Sequence, residues 1–125
     1  LLSGCHRFTN QERTLASLSE AFKGQFRFGT SIKNDTLQTN DTGLLTLVAK
    51  EFNAITADNA MKWEGLQPRL KEFNWHKSDK FVNFGQRNNM QITGHVLVWH
   101  KQTPNYVFIK DNKVVSKNSS LFISW

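Results

Sequence analysis

Gln91-Ile92-Thr93-Gly94-His95-Val96-Leu97-Val98-Trp99 is the most apolar segment of the sequence, and its reading decides the fold. A nearly continuous apolar run suits a strand buried on both faces of its sheet, which is the environment of parallel strands. Upstream, residues 77–87 carry Phe81, Val82 and Phe84 at helical spacing and run into Asn88 and Asn89, residue types that stop helices. Before them, Asn53 to Ala57 reads as a short strand. Leu44, Leu45, Val48 and Phe52 form the apolar stripe of a helix that Asn40 or Asp41 caps. Phe26 to Ile32 alternates with period two, as a strand does, and Leu15, Leu18, Ala21 and Phe22 give the stretch from Thr9 to Phe22 a helical face, capped by Thr9 or Asn10, that Gly24 ends. Strands beginning near residues 26, 53 and 91, each separated from the next by a helix, predict an α/β fold with parallel pairing and right-handed crossovers.

Composition bounds what such a chain does. Its 125 residues make about one domain. The net charge of +6 is spread without a run of like charges, so an RNA-binding domain is the weakest of the alternatives and no nucleic-acid partner is expected. Ten Phe and four Trp exclude disorder for most of the length. A single cysteine, Cys5, excludes a disulfide framework and a multi-cysteine zinc site, and no cofactor or metal is called for. No apolar stretch reaches the roughly 20 residues of a membrane span.

The two ends carry their own expectations. Leu1-Leu2-Ser3-Gly4-Cys5 resembles the close of a bacterial lipoprotein signal, in which the cysteine becomes acylated. On that reading residues 1–8 are a signal remnant and linker and the protein is extracytoplasmic, either secreted or held at the bacterial cell envelope by a lipid anchor on Cys5; the alternative is an ordinary terminus with a free thiol. Residues 111–125 are expected to be irregular, and the apolar finish Leu121-Phe122-Ile123-Ser124-Trp125 reads as an artificial end.

In a βα architecture, chemistry gathers where the strands end, because loops and helix starts converge there. Asp58-Asn59-Ala60-Met61-Lys62 follows the second strand, and the third runs through His95 and Trp99 into His100-Lys101-Gln102-Thr103-Pro104. On an extended strand, His95, Leu97 and Trp99 share one face and His100 takes the other, which disfavours a two-histidine metal site. Asp58 accepts from paired hydroxyls, Asn59 and Gln102 donate and accept, Lys62 adds a charged donor, and the indole of Trp99 offers a flat apolar face. That set suits a sugar.

Ile55-Thr56-Ala57-Asp58-Asn59-Ala60-Met61-Lys62-Trp63-Glu64, with Leu66-Gln67-Pro68, resembles the strand-two signature of glycoside hydrolase family 10, the endo-β-1,4-xylanases. Gly94-His95-Val96-Leu97-Val98-Trp99-His100-Lys101-Gln102-Thr103-Pro104 resembles its strand-three signature, and Phe73-Asn74-Trp75 and Asp79 to Phe84 fit between them. The resemblance covers roughly residues 15 to 110 and makes residues 9–110 the N-terminal part of the family's (β/α)8 TIM barrel, its first three βα units. It implies that Asn59, Lys62, His95, Trp99 and Gln102, with Asp58, line the subsites for xylose units ahead of the scissile bond of xylan or a xylo-oligosaccharide. Asp58 stands where the family usually has Glu, and Tyr106 where a Trp commonly follows the Thr-Pro pair. The family's catalytic glutamates come from later strands, in segments resembling Asn-Glu and Thr-Glu-Leu-Asp that this sequence lacks. Hence no catalytic residue is assigned, and the alternative reading is a non-catalytic carbohydrate-binding or scaffold protein. An open piece of barrel is also expected to expose an unpartnered sheet edge and an apolar inner face.

Overall fold

The structure, a computed structural model, describes residues 17–39, 41–110 and 113–114. Cys5, Thr9, Asn10, Leu15 and Asn40, and with them the expected lipid anchor and three of the proposed caps, lie outside the described residues. Three strands, β1 (Gly29–Ile32), β2 (Ala54–Ala57) and β3 (Gln91–Thr93), form a parallel sheet in that order. Between them run the helices α2 (Asn34–Gln38) and α3 (Thr42–Glu51), then α4 (Trp63–Leu66) and α5 (His76–Arg87); α1 (Leu18–Ala21) precedes β1.

The helix ends follow from local chemistry. Asp41 Oδ1 accepts the backbone N–H of Leu44 at 3.1 Å, which caps α3. At the far end of α5, Asn88 Nδ2 donates to the carbonyl of Phe84 at 2.8 Å, and Asn89 adopts the left-handed conformation with φ of 52°. Ser17 caps α1 through Oγ, which accepts from the Glu20 N–H at 3.2 Å. One residue ties the sheet at its base. The Oδ1 of Asn53 accepts from the Phe28 N–H at 2.8 Å, its own N–H donates to the Phe28 carbonyl at 3.0 Å, and its carbonyl accepts from the Gln91 N–H at 2.9 Å.

The register sets Gly29 beside Ala54 beside Gln91, and Ser31 beside Thr56 beside Thr93, on one face. The other face carries Ile32, Ile55 and Ala57, which are buried with Leu37, Val48, Ala60, Phe81 and Met90. Phe81 is fully buried, while Val82, Phe84 and Ile92 pack partly buried around it. Gly85 is where α5 meets the sheet most closely: a Cβ there would lie 2.6 Å from Cγ1 of Ile92 and 2.9 Å from Cδ1 of Ile55.

Three expectations are corrected. The third strand stops at Thr93 rather than Trp99, and the first begins at Gly29, because Phe26 and Phe28 join Phe22 and Phe52 in an aromatic stack with centroid spacings of 4.7 to 6.2 Å. The short helix α2 was not foreseen. The uncovered face of the sheet is small and polar rather than apolar, since Ser31, Thr56 and Thr93 stand on it. Past the sheet, a 3-10 turn at Asn105–Phe108 leads into β4 (Ile109–Lys110), which pairs antiparallel with β5 (Lys113–Val114).

The close approach at Gly85 gives a direct test. Gly85→Ala is expected to lower stability by about 1–3 kcal/mol, since Ile92 and Ile55 must move to admit the methyl group. Urea unfolding of the two proteins measures it, and equal midpoints would contradict the packing.

Candidate functional site

The parallel register brings the ends of all three strands to one rim. Ile32 is level with Ala57, and the N–H of Asp58 donates to the Ile32 carbonyl at 3.1 Å, so the first residue past β2 is held by β1. The rim begins there. Asn59 Nδ2 donates to Asp58 Oδ2 at 3.0 Å, and Lys62 Nζ donates to Asn59 Oδ1 at 2.7 Å. The three side chains thus form one line, carboxylate to amide to ammonium. Lys62 is only 8% exposed, and its Nζ lies 4.6 Å from the centroid of the Trp99 ring. No ion pair among the described residues includes it.

Trp99 is therefore not a bare plate for a sugar ring. An ammonium sits over its face, a second from Lys101 lies 6.0 Å from the centroid, and the His100 ring meets it edge-on at 4.9 Å. The contact with His100 overturns the strand-parity reading, which had put those two rings on opposite faces. Alternation requires an extended strand, and β3 has ended six residues earlier.

Gln102 has a φ of 54° and its carbonyl accepts from the Glu64 N–H at 3.0 Å, which pins the loop after Trp99 to the start of α4. Its side chain shares with Asn59 the lining of a cavity of about 340 Å³. His95 stands apart. It is exposed and lines a different hollow, with Met61, Trp75 and Val82, that none of the other five expected residues borders. The structure thus brings Asp58, Asn59, Lys62 and Trp99 together, attaches Gln102 through the cavity, and leaves His95 out.

Two features escaped the sequence reading. Trp63 Nε1 donates to Gln67 Oε1 and to the Tyr106 hydroxyl, each at 3.1 Å, and the Tyr106 hydroxyl donates to Gln67 Oε1 at 2.8 Å. This knot fastens the 3-10 turn to α4; the spacing of four between Trp63 and Gln67 was its one visible sign. The second is Asn34, two residues past β1, which lines the same cavity as Asn59 and Gln102. Among the described residues, no three His, Cys, Asp or Glu side chains come together in a way that could hold a metal ion.

The sequence model of glycosyl hydrolase family 10 matches residues 17–124. The chain belongs to this family. It is 40% identical over 98 residues to endo-1,4-beta-xylanase A of Halalkalibacterium halodurans, a match over 78% of this chain and 24% of that protein. Among solved structures it is similar to a family 10 endoxylanase retrieved from a sugarcane soil metagenome, with 44% identity and a TM-score of 0.75 over 82% of this chain and 31% of that one. It is also similar to xylanase 10B of Thermotoga petrophila, solved in complex with xylobiose, with 32% identity and a TM-score of 0.68 over 73% of this chain and 28% of that one. The chain therefore spans about a quarter to a third of these three proteins, and its three βα units are part of a TIM barrel.

Within the family pattern the two departures acquire physical content. Asp58, shorter than the usual Glu, reaches its neighbour Asn59. Tyr106, where a Trp is common, offers a hydroxyl that accepts as well as donates, which an indole cannot do.

Two variants test this geometry. Trp99→Leu is expected to abolish the upfield ring-current shift of the Lys62 ε-methylene protons and to lower stability by about 0.5–2 kcal/mol, read by NMR and denaturant melts. Tyr106→Phe is expected to cost about 1 kcal/mol of stability, with Gln67 Oε1 losing one of its donors.

Proposed function

We propose that this chain builds the sugar-holding side of an endo-1,4-β-xylanase cleft, acting on xylan outside the cytoplasm, and that its 125 residues alone bind xylo-oligosaccharides without hydrolysing them. The observation that carries this reading is the line from Asp58 through Asn59 to Lys62. Its ammonium is buried, has no carboxylate partner and has donor capacity left over, which suits the hydroxyls of a neutral sugar. Asn59 is already oriented by its two neighbours, so a hydroxyl meets an amide whose direction is fixed in advance. Holding donors in place before the ligand arrives lowers the entropy lost on binding.

Cleavage with retention of configuration requires two carboxyl groups about 5–5.5 Å apart, one to give and take the proton and one to attack the anomeric carbon. The last glutamate of the chain is Glu72, and the only acidic residue after Asp79 is Asp111. At the rim itself Asp58 is engaged by Asn59, and Glu64 is exposed on α4. We assign neither a catalytic role.

Incubation of the purified chain with xylan is expected to release no reducing sugar, while titration with xylotriose shifts the Asn59 and Lys62 resonances. Turnover that persists in protein purified free of other hydrolases would overturn the assignment of inactivity. Turnover absent and binding absent together would overturn the sugar-holding role.

A further inference from the structure

A hollow of about 680 Å³ lies between the segment after β3 and the turn around α4, and Met61, Trp63, Phe73, Trp75, Leu97 and Val98 are among its walls. Gln67 is the one polar side chain among the described residues that line it, and its Oε1 is already taken by Trp63 Nε1 and the Tyr106 hydroxyl. A sugar, which needs partners for several hydroxyls, is poorly served by such a wall. An apolar side chain is well served. Phe73, Trp75 and Val98 are each more than half exposed, and Leu97 stands almost wholly in water. Phe73 and Trp75 stack face to face with centroids 5.2 Å apart, which fixes the orientation of both rings. Contiguous apolar surface of this kind marks a docking site.

The chain itself returns to this wall. Tyr106, bonded to Gln67 and set edge-on to the Trp63 ring at 6.5 Å, belongs to the 3-10 turn that runs directly into β4. β5 then comes back antiparallel, with Val114 paired to Ile109. Three residues of 3-10 rise and one strand spacing put the Val114 backbone at most about 12 Å from that of Tyr106. Beyond it the sequence continues through Val115 and the polar run Ser116-Lys117-Asn118-Ser119-Ser120 to the apolar stretch Leu121-Phe122-Ile123-Ser124-Trp125, all outside the described residues. The seven steps from Val114 to Leu121 span up to about 24 Å, so the apolar stretch begins within reach of the hollow. A short flexible tether also holds its end at an effective concentration on the order of millimolar, about a thousandfold above protein at micromolar concentration. The chain's own segment therefore outcompetes the same segment of a second copy.

We propose that residues 121–125 dock in this hollow within the same molecule, with their Leu, Phe, Ile and Trp side chains against Leu97, Val98, Phe73 and Trp75. The polar run 116–120 is the tether. None of the residues that meet there has been given a sugar contact, so the docking holds or fails apart from the sugar-holding cleft.

The test uses the full chain with ¹³C-labelled Leu, Ile and Val methyl groups. Nuclear Overhauser contacts are expected from the Leu97 and Val98 methyls to the rings of Phe122 and Trp125, unchanged by about tenfold dilution. The double variant Phe122→Ser, Trp125→Ser is expected to lose them and to raise the fluorescence of the apolar dye ANS about 3-fold, while the Ile55 methyl signals of the buried core stay in place. Leu97→Asp, which alters the hollow and leaves the segment intact, should do the same. Contacts seen only between labelled and unlabelled chains in a mixed sample would make a second copy the occupant and overturn the proposal. So would the absence of the contacts in the unmodified chain, or equal dye fluorescence in all three proteins. Collapse of the Ile55 signals in both variants would make these residues part of the folding core rather than a docked segment, and would overturn it as well.

Discussion

The parallel register of three short strands is the constraint on which the site depends. With only three or four residues in each strand, little in the ladder itself resists a slip. A slip of one residue would turn Ile55 and Ala57 out of the core and bring Thr56 in. Two devices oppose it. Asn53 spans the base, bonding to the segment before β1 and to the start of β3. At the rim, Asp58 donates its N–H to the end of β1, so the turn that carries Asn59 and Lys62 starts from a fixed point. Gly85 completes the lock by letting α5 settle directly on Ile55 and Ile92. The functional side chains inherit their placement from these contacts.

Much of this architecture was legible because it rests on local rules. The alternation of strand and helix, the Asp41 cap and the stop at Asn88 and Asn89 each follow from the residue types on the spot. The helix α2 was invisible because four of its five residues are polar and Leu37 alone marks a buried face. The end of β3 was misread for the opposite reason. Val96, Leu97 and Val98 look like strand, yet Leu97 is 90% exposed and the three residues border an open apolar hollow with Trp63, Phe73 and Trp75. An apolar run shows that a segment prefers to leave water; it does not show which geometry takes it there.

The candidate site divides along the same line. Asp58, Asn59 and Lys62 sit on a turn whose spacing in sequence is also its spacing in space, so their grouping could be read directly. Trp99 and Gln102 come back to that turn through a loop, and their meeting with it depends on tertiary structure. His95 was tied to Trp99 by an alternation that the backbone does not maintain, and it lines another hollow. Asn34 lay beyond reach because nothing in the sequence marks a polar residue two places past a strand as one that lines a cavity.

The line from Asp58 to Lys62 explains why a buried cation is tolerated at this rim. An ammonium withdrawn from water loses solvation that one amide bond does not restore. Here the amide is polarised by the carboxylate at its other end, which makes Asn59 Oδ1 a stronger acceptor than an isolated side chain would present. The face of Trp99 supplies a second attraction to the cation without occupying its donors. A carboxylate in direct contact would hold Lys62 more tightly, but it would spend the same hydrogens on itself. Placing Asn59 between the charges keeps the attraction at a distance and leaves donors for a ligand. Substitution of the longer Glu by Asp58 fits that arrangement, because the shorter side chain is confined to its neighbour and does not compete with a sugar for the ammonium.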